Sequence, residues 1–198
     1  MFRRSVLWIV LAVALGTSPA SAQETYLGVT AFGGAFFPTA DLVTDEFKQT
    51  TSFVFGGRLS LWTLPRFAVE LEGSYSSSGL ETYAGEQSGW FGAFSMNLLY
   101  SVIKPPLETF DIYLTGGLGF VKRSSEFFQV EEGMDDPTDV AAVVGTGIRY
   151  GVRRGLYIRL DLKDYISSFS KPGVNRSQLQ NDLLVTAGIE VSLKLGSS

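Results

Sequence analysis

The chain has 198 residues, no cysteine, no histidine and a formal net charge of −4. Without histidine it lacks the usual general base, the Ser–His pairing of triads and imidazole metal ligands. Its acidic balance gives no support for nucleic-acid binding, so no catalytic residue, cofactor or metal site is expected.

Residues 1–22 carry Arg3 and Arg4, an apolar run from Val6 to Leu15, and then Ala20-Ser21-Ala22. A charged start, a short apolar core and an A-x-A site are the parts of a secretory signal peptide. The run is about half the roughly 20 residues that a spanning helix needs. Cleavage after Ala22 is therefore expected, with residues 23–198 exported as one domain. No later stretch is apolar enough to span as a helix, so membrane insertion would have to use strands.

Eight segments alternate with the period of a β-strand: residues 26–38, 53–64, 67–75, 89–102, 110–121, 140–152, 156–166 and 181–195. Ten residues rising about 3.3 Å each and tilted about 40° cover roughly 25 Å, the height of an outer-membrane apolar band. The first segment has no charge to fix which frame faces which way. In the second, Phe53, Phe55, Leu59 and Leu61 oppose Arg58; in the third, Phe67, Val69 and Leu71 oppose Glu70 and Glu72. The fourth presents Phe94, Met96, Leu98 and Tyr100, and the fifth Phe110, Ile112, Leu114, Leu118 and Phe120 against Asp111. The sixth sets Val144, Ile148 and Tyr150 against Arg149. In the seventh, Leu156, Ile158, Leu160 and Leu162 oppose Arg159, Asp161 and Lys163, and in the eighth Val185, Ile189, Val191 and Leu193 oppose Glu190 and Lys194.

Every strand charge is thus expected in one frame. A Lys or Arg facing lipid at mid-depth costs roughly 2–4 kcal/mol, which explains such an exclusion. The connections alternate too. Residues 64–66, 103–108 and 153–155 are short, whereas 41–52, 76–88, 122–139 and 167–180 are longer and polar. Short periplasmic turns and long outer loops produce that parity. Aromatic residues gather near both ends. Tyr26, Trp62, Phe67, Tyr100, Phe110, Tyr150 and Tyr157 lie on the turn side, and Phe36, Phe37, Phe53, Tyr75, Trp90, Phe120 and Tyr165 on the loop side. Two such levels are expected to be membrane girdles. The predicted fold is all-β: an eight-stranded antiparallel up-and-down transmembrane barrel.

Signal peptide, amphipathic strands, short turns and long loops together resemble the small outer-membrane barrels of the OmpA/OmpX type, over essentially all of residues 23–198. Arg159-Leu160-Asp161-Leu162-Lys163-Asp164-Tyr165 looks like the R-x-D-x-[R/K]-D-Y run in the penultimate strand of several such domains. The resemblance implies an outer-membrane location, contact with membrane lipid and lipopolysaccharide, and folding by the barrel-assembly machinery. Barrels of this class commonly end on a phenylalanine; here Leu195 stands at the end of the last strand.

An eight-stranded barrel is only wide enough for its own side chains. The inward charges Arg58, Glu70, Glu72, Asp111, Arg149, Arg159, Asp161, Lys163, Glu190 and Lys194 are expected to form a balanced ion-pair core. Inward glycines at 56, 117, 119, 145, 147 and 188 are expected to make room for the long Arg and Tyr side chains. The alternative is that they leave a narrow path, making the protein a passive pore for small solutes. The third long loop combines Phe127 and Phe128 with Glu131, Glu132, Asp135 and Asp136. Those residues are candidates for contacting an extracellular partner or divalent cations beside lipopolysaccharide, although acid runs are ordinarily solvated. A secreted lipocalin-like barrel would need the reverse arrangement, a polar exterior and an apolar cavity. The expected role is non-enzymatic: envelope structure, surface interaction through four loops, or both.

Overall fold

The computed structural model describes residues 25–38, 48–49, 51–82, 85–103, 109–125, 138–170 and 177–195. The signal-peptide reading of residues 1–22 and the loop residues Phe127, Phe128, Glu131, Glu132, Asp135 and Asp136 lie outside them. The long strands are β1 (Thr25–Pro38), β2 (Ser52–Leu64), β3 (Phe67–Thr82), β4 (Gly85–Ile103), β5 (Phe110–Ser125), β6 (Thr138–Arg153), β7 (Leu156–Ser170) and β8 (Ser177–Leu195). Each pairs antiparallel with its sequence neighbours, and β1 pairs with β8 from Thr25↔Leu195 to Pro38↔Asp182. The sheet closes on itself, so a membrane-embedded barrel leaves no open edge in hydrocarbon. The two-residue strand Lys48–Gln49 pairs with Leu80 and Glu81 of β3.

Alternation dictates the two faces. Phe53, Phe55, Leu59, Val69, Phe94, Leu98, Leu114, Leu118, Val144, Leu160, Ile189 and Leu193 are exposed on the outside. Arg58, Glu70, Glu72, Arg159, Asp161, Lys163 and Glu190 are buried within. This distribution excludes the lipocalin arrangement. In β1 the even positions Gly28, Thr30, Phe32 and Phe36 are buried and Val29 and Phe37 exposed, which settles the frame that the sequence leaves open.

The strands run further than alternation predicts. Residues 76–88 are expected as a loop, yet β3 and β4 stay paired from Ser76↔Phe91 to Thr82↔Gly85. At the same end β5 continues to Ser125, β6 begins at Thr138, β7 ends at Ser170 and β8 begins at Ser177. Ladder hydrogen bonds need only backbone groups, so pairing persists through polar sequence where the period-two signal fades.

At the other end the hairpins are tight. Register shifts fall between Trp62 and Leu64, Ser101 and Ile103, and Gly151 and Arg153, bulging each hairpin next to its turn. The amide of the next strand then closes the rim: Ser101 N–H donates to the Arg66 carbonyl, Gly151 to Thr109 and Ser192 to Gly155. Gly155 has φ +75°, the left-handed region this turn demands and glycine adopts without strain.

Two expectations are corrected here. Asp164, within the strand, lies in the outward frame: it follows exposed Leu160 and Leu162 in the same alternation, and its Oδ2 accepts from Asn181 Nδ2 at 3.2 Å. The neighbouring carboxamide supplies the partner that lipid cannot. Five of the aromatic residues assigned to girdles belong to the interior frame instead. Trp62, Phe36 and Tyr165 are buried, Tyr26 packs against Trp62, and Tyr157 stacks on Arg149. The outward rings remain in two groups. Phe67 and Tyr100 pack at 5.0 Å on the turn side, and Tyr75 stacks on Trp90 at 6.1 Å on the loop side.

Candidate functional site

The lumen is filled in three layers. Nearest the turns, Trp62, Ala68, Leu99 and Tyr113 form an apolar cluster with Tyr26 against it. Nearest the loops, Phe36, Val54, Phe91, Ala93, Val121, Ala141, Val143, Tyr165 and Leu184 form a second, with Phe36 and Phe91 stacked at 4.4 Å. Between these aromatic and aliphatic layers lie the ions.

Register places the central ions opposite one another. Arg58 and Glu72 are direct cross-strand neighbours on β2 and β3, and Arg58 Nε donates to Glu72 Oε2 at 2.5 Å. The same guanidinium reaches across the lumen to Asp161 Oδ2 at 2.7 Å and Thr186 Oγ1 at 2.8 Å, with the Phe32 ring 4.0 Å from its Cζ. Arg159, fully buried, donates to Glu70 Oε2 at 2.7 Å, Asp161 Oδ1 at 3.0 Å and Glu190 Oε2 at 3.3 Å. It also donates to the Tyr113 hydroxyl at 2.7 Å, and that hydroxyl in turn donates to Asp161. Lys163 Nζ donates to Glu70 Oε1 at 2.8 Å and to Glu72 Oε2. Arg149 Nη2 donates to Glu190 Oε1 at 2.6 Å, with its guanidinium 3.5 Å from the Tyr157 ring centroid and 5.3 Å from that of Trp62.

Four bases and four acids thus form one connected network, joined through Arg58–Glu72–Lys163–Glu70–Arg159–Glu190–Arg149, with Asp161 bridging Arg58 and Arg159. The other two charges named from the sequence lie nearer the turns, Asp111 as the cross-strand neighbour of Arg149. Asp111 is buried nearer the turns and accepts from the Ser101 hydroxyl; Lys194 is exposed at the end of β8. Sequence reasoning missed the neutral partners: Tyr113, Thr186, Ser60 donating to Glu70 at 2.7 Å, and Tyr165 donating to Glu72 at 3.0 Å. It also missed the apolar layer on the loop side. Both signals were available on the charged strands, because Val54, Tyr113 and Tyr165 share the frame of the charges.

The inward glycines divide in two. A Cβ at Gly147 would fall 2.3 Å from the Tyr113 hydroxyl, so that glycine makes room for a lumen side chain as expected. At Gly117 and Gly119 the nearest atoms are instead the carbonyl oxygens of Met96 and Phe94, at 2.3 and 2.7 Å. There the missing side chain lets adjacent strands approach closely, a role distinct from accommodating Arg or Tyr.

Chemically, these side chains complete a set of buried charges whose lone pairs and protons are met by partners, the condition under which burying ions is tolerable. Comparison with known proteins adds the family. The outer membrane protein beta-barrel domain family matches residues 8–193. The chain belongs to this family. Solved barrels with the same fold include the N-terminal β-barrel domain of Pseudomonas aeruginosa OprF, at 12% identity and TM-score 0.55, covering 85% of this chain and 97% of that one. Neisserial surface protein A matches at 14% identity and TM-score 0.56, covering 87% and 99%. Ail, the attachment invasion locus protein of Yersinia pestis, matches at 11% identity and TM-score 0.52, covering 87% and 100%. No curated protein matches the sequence. The barrel is an outer-membrane protein with hydrocarbon around its apolar face.

Proposed function

We propose that this barrel is a non-enzymatic outer-membrane protein whose lumen is closed by its own side chains, and which supports the envelope and works through its loop end. One observation carries the reading: Arg159, wholly buried at the centre, is held by carboxylates from β3, β7 and β8 between two apolar layers. A solute path would have to displace those ions together with the stacked Phe36 and Phe91. The missing histidine supports a role without catalysis, since the usual general base and the Ser–His pairing of triads are lacking.

The chain between β5 and β6 offers the contact residues Phe127, Phe128, Glu131, Glu132, Asp135 and Asp136. Ail has been solved with the heparin analogue sucrose octasulfate, but acidic residues here disfavour a polyanion. They fit divalent cations shared with lipopolysaccharide, or a partner anchored on the two phenylalanines. Folding by the barrel-assembly machinery, with Leu195 in place of a terminal phenylalanine, belongs to the same proposal.

Single-channel recording in planar bilayers tests the closed lumen. The folded barrel is expected to give no steps above background; discrete reproducible openings would refute it. Proteolysis of intact cells, with and without calcium, tests the working end: cleavage between β5 and β6 is expected, with calcium slowing it.

A further inference from the structure

The turn end carries a charge pattern that neither the lumen nor the loops explain. Arg66 sits exposed in the β2–β3 turn, and Arg153 and Arg154 are exposed in the β6–β7 turn. The β2–β3 and β6–β7 turns lie on different sides of the barrel, so the bases are spread around the rim. The inward acids toward this end include Asp111, Glu70 and Glu190, all buried and hydrogen-bonded, Asp111 by Ser101, Glu70 by Arg159 and Lys163, and Glu190 by Arg149 and Arg159. In the remaining turn the sequence balances Lys104 against Glu108. The connections at the opposite end are acidic overall, with Asp41, Asp45 and Glu46 after β1 and Glu126 to Asp136 after β5.

The level of these bases follows from what stands above them. Leu64, Phe67, Val102, Ile103, Phe110, Tyr150, Val152 and Leu195 are exposed where the strands meet the turns. Hydrocarbon must reach that band, and the next atoms outward are at headgroup depth. Short turns face the periplasm in such barrels, so the guanidinium groups meet the phosphates of the inner leaflet. Guanidinium pairs with phosphate through two parallel hydrogen bonds.

We propose that the periplasmic rim of Arg66, Arg153 and Arg154 is a docking surface for anionic phospholipid headgroups, selecting them over zwitterionic ones. The contact fixes the depth and tilt of the barrel from below, independently of what the loops bind above.

The test uses the folded protein reconstituted in phosphatidylcholine bilayers containing phosphatidylglycerol. Spin-labelled lipids of each headgroup report the fraction immobilised at the protein. The anionic label is expected to associate roughly fivefold more strongly per engaged arginine than the neutral one, and the preference is expected to shrink as salt rises. The triple variant R66Q/R153Q/R154Q should lose the preference while keeping its heat-dependent gel mobility. Should the triple variant fail to fold, R153Q/R154Q is expected to lose part of the preference. Equal association of both labels with the wild type would overturn the proposal, as would a preference retained by the folded variants. Sedimentation with purified peptidoglycan distinguishes the other anionic neighbour. Binding there that the triple variant loses, with lipid selectivity unchanged, assigns the rim to the cell wall and sinks the lipid reading.

Discussion

Arg159 is the residue where the lumen charges converge, so it is where their worth is best measured. Arg159→Met keeps much of the volume but removes the cation shared by Glu70, Asp161 and Glu190. Breaking a buried ion pair from one side costs about 3–5 kcal/mol, because the surviving charge stays buried. The unfolding midpoint in urea, read by loss of heat-dependent gel mobility in lipid vesicles, is expected to fall accordingly. Adding Glu70→Gln should recover part of the loss; an unaltered midpoint in the single variant would mean water already reaches these carboxylates. Glycines give a second residue-scale contrast. Gly147→Val drives carbon into the Tyr113 hydroxyl, and such overpacking costs about 1–3 kcal/mol. Gly116 faces outward, and a Cβ added there would meet nothing within 4 Å. Gly116→Ala should therefore be neutral or stabilise by about 0.4–1 kcal/mol through the unfolded chain, and the same urea titration compares the two.

On the scale of a strand, the period-two frame carries most of what the sequence says. Leu160 is exposed about four residues from the start of β7, near mid-depth, whereas Val102 is exposed where β4 meets its turn. Leu160→Arg is expected to cost roughly 2–4 kcal/mol and Val102→Arg about 0–1 kcal/mol. Unfolding free energies in vesicles that come out equal would place the membrane at a different height on the barrel. Faces were legible because lipid enforces one frame on every residue it touches. Strand ends were less so: beyond the hydrocarbon, serine and glycine in residues 76–88 pair as well as leucine does, and leave no alternation to read. Asp164 escaped the rule because its support, Asn181, comes from the adjacent strand, a pairing set by register. The ionic members of the lumen were legible one by one, but their partners were not. Arg58 and Asp161 are 103 residues apart, and no local pattern says which inward charges meet across the lumen.

For the whole molecule, closure and filling divide the work between the two ends of the barrel. The β1–β8 seam joins the first and last strands over their whole common length, and β8 also brings Thr186 and Glu190 to the central network. The β5–β6 ladder closes at Lys122↔Thr138, before the chain that joins the two strands. Replacing residues 123–137 with a two-residue Asn-Gly turn should therefore leave folding intact. Loop-closure entropy varies by only about 0.6 kcal/mol per doubling of loop length, and Asn-Gly suits a tight hairpin. Deleting residues 177–195 should abolish folding, since it opens β1 and β7 as bare edges and strips two partners from the buried guanidinium groups. Heat-dependent gel mobility and protease resistance in vesicles read both outcomes. A folded barrel without β8, or an unfolded one after the loop exchange, would mean that stability resides in the outer connections and not in the filled cylinder.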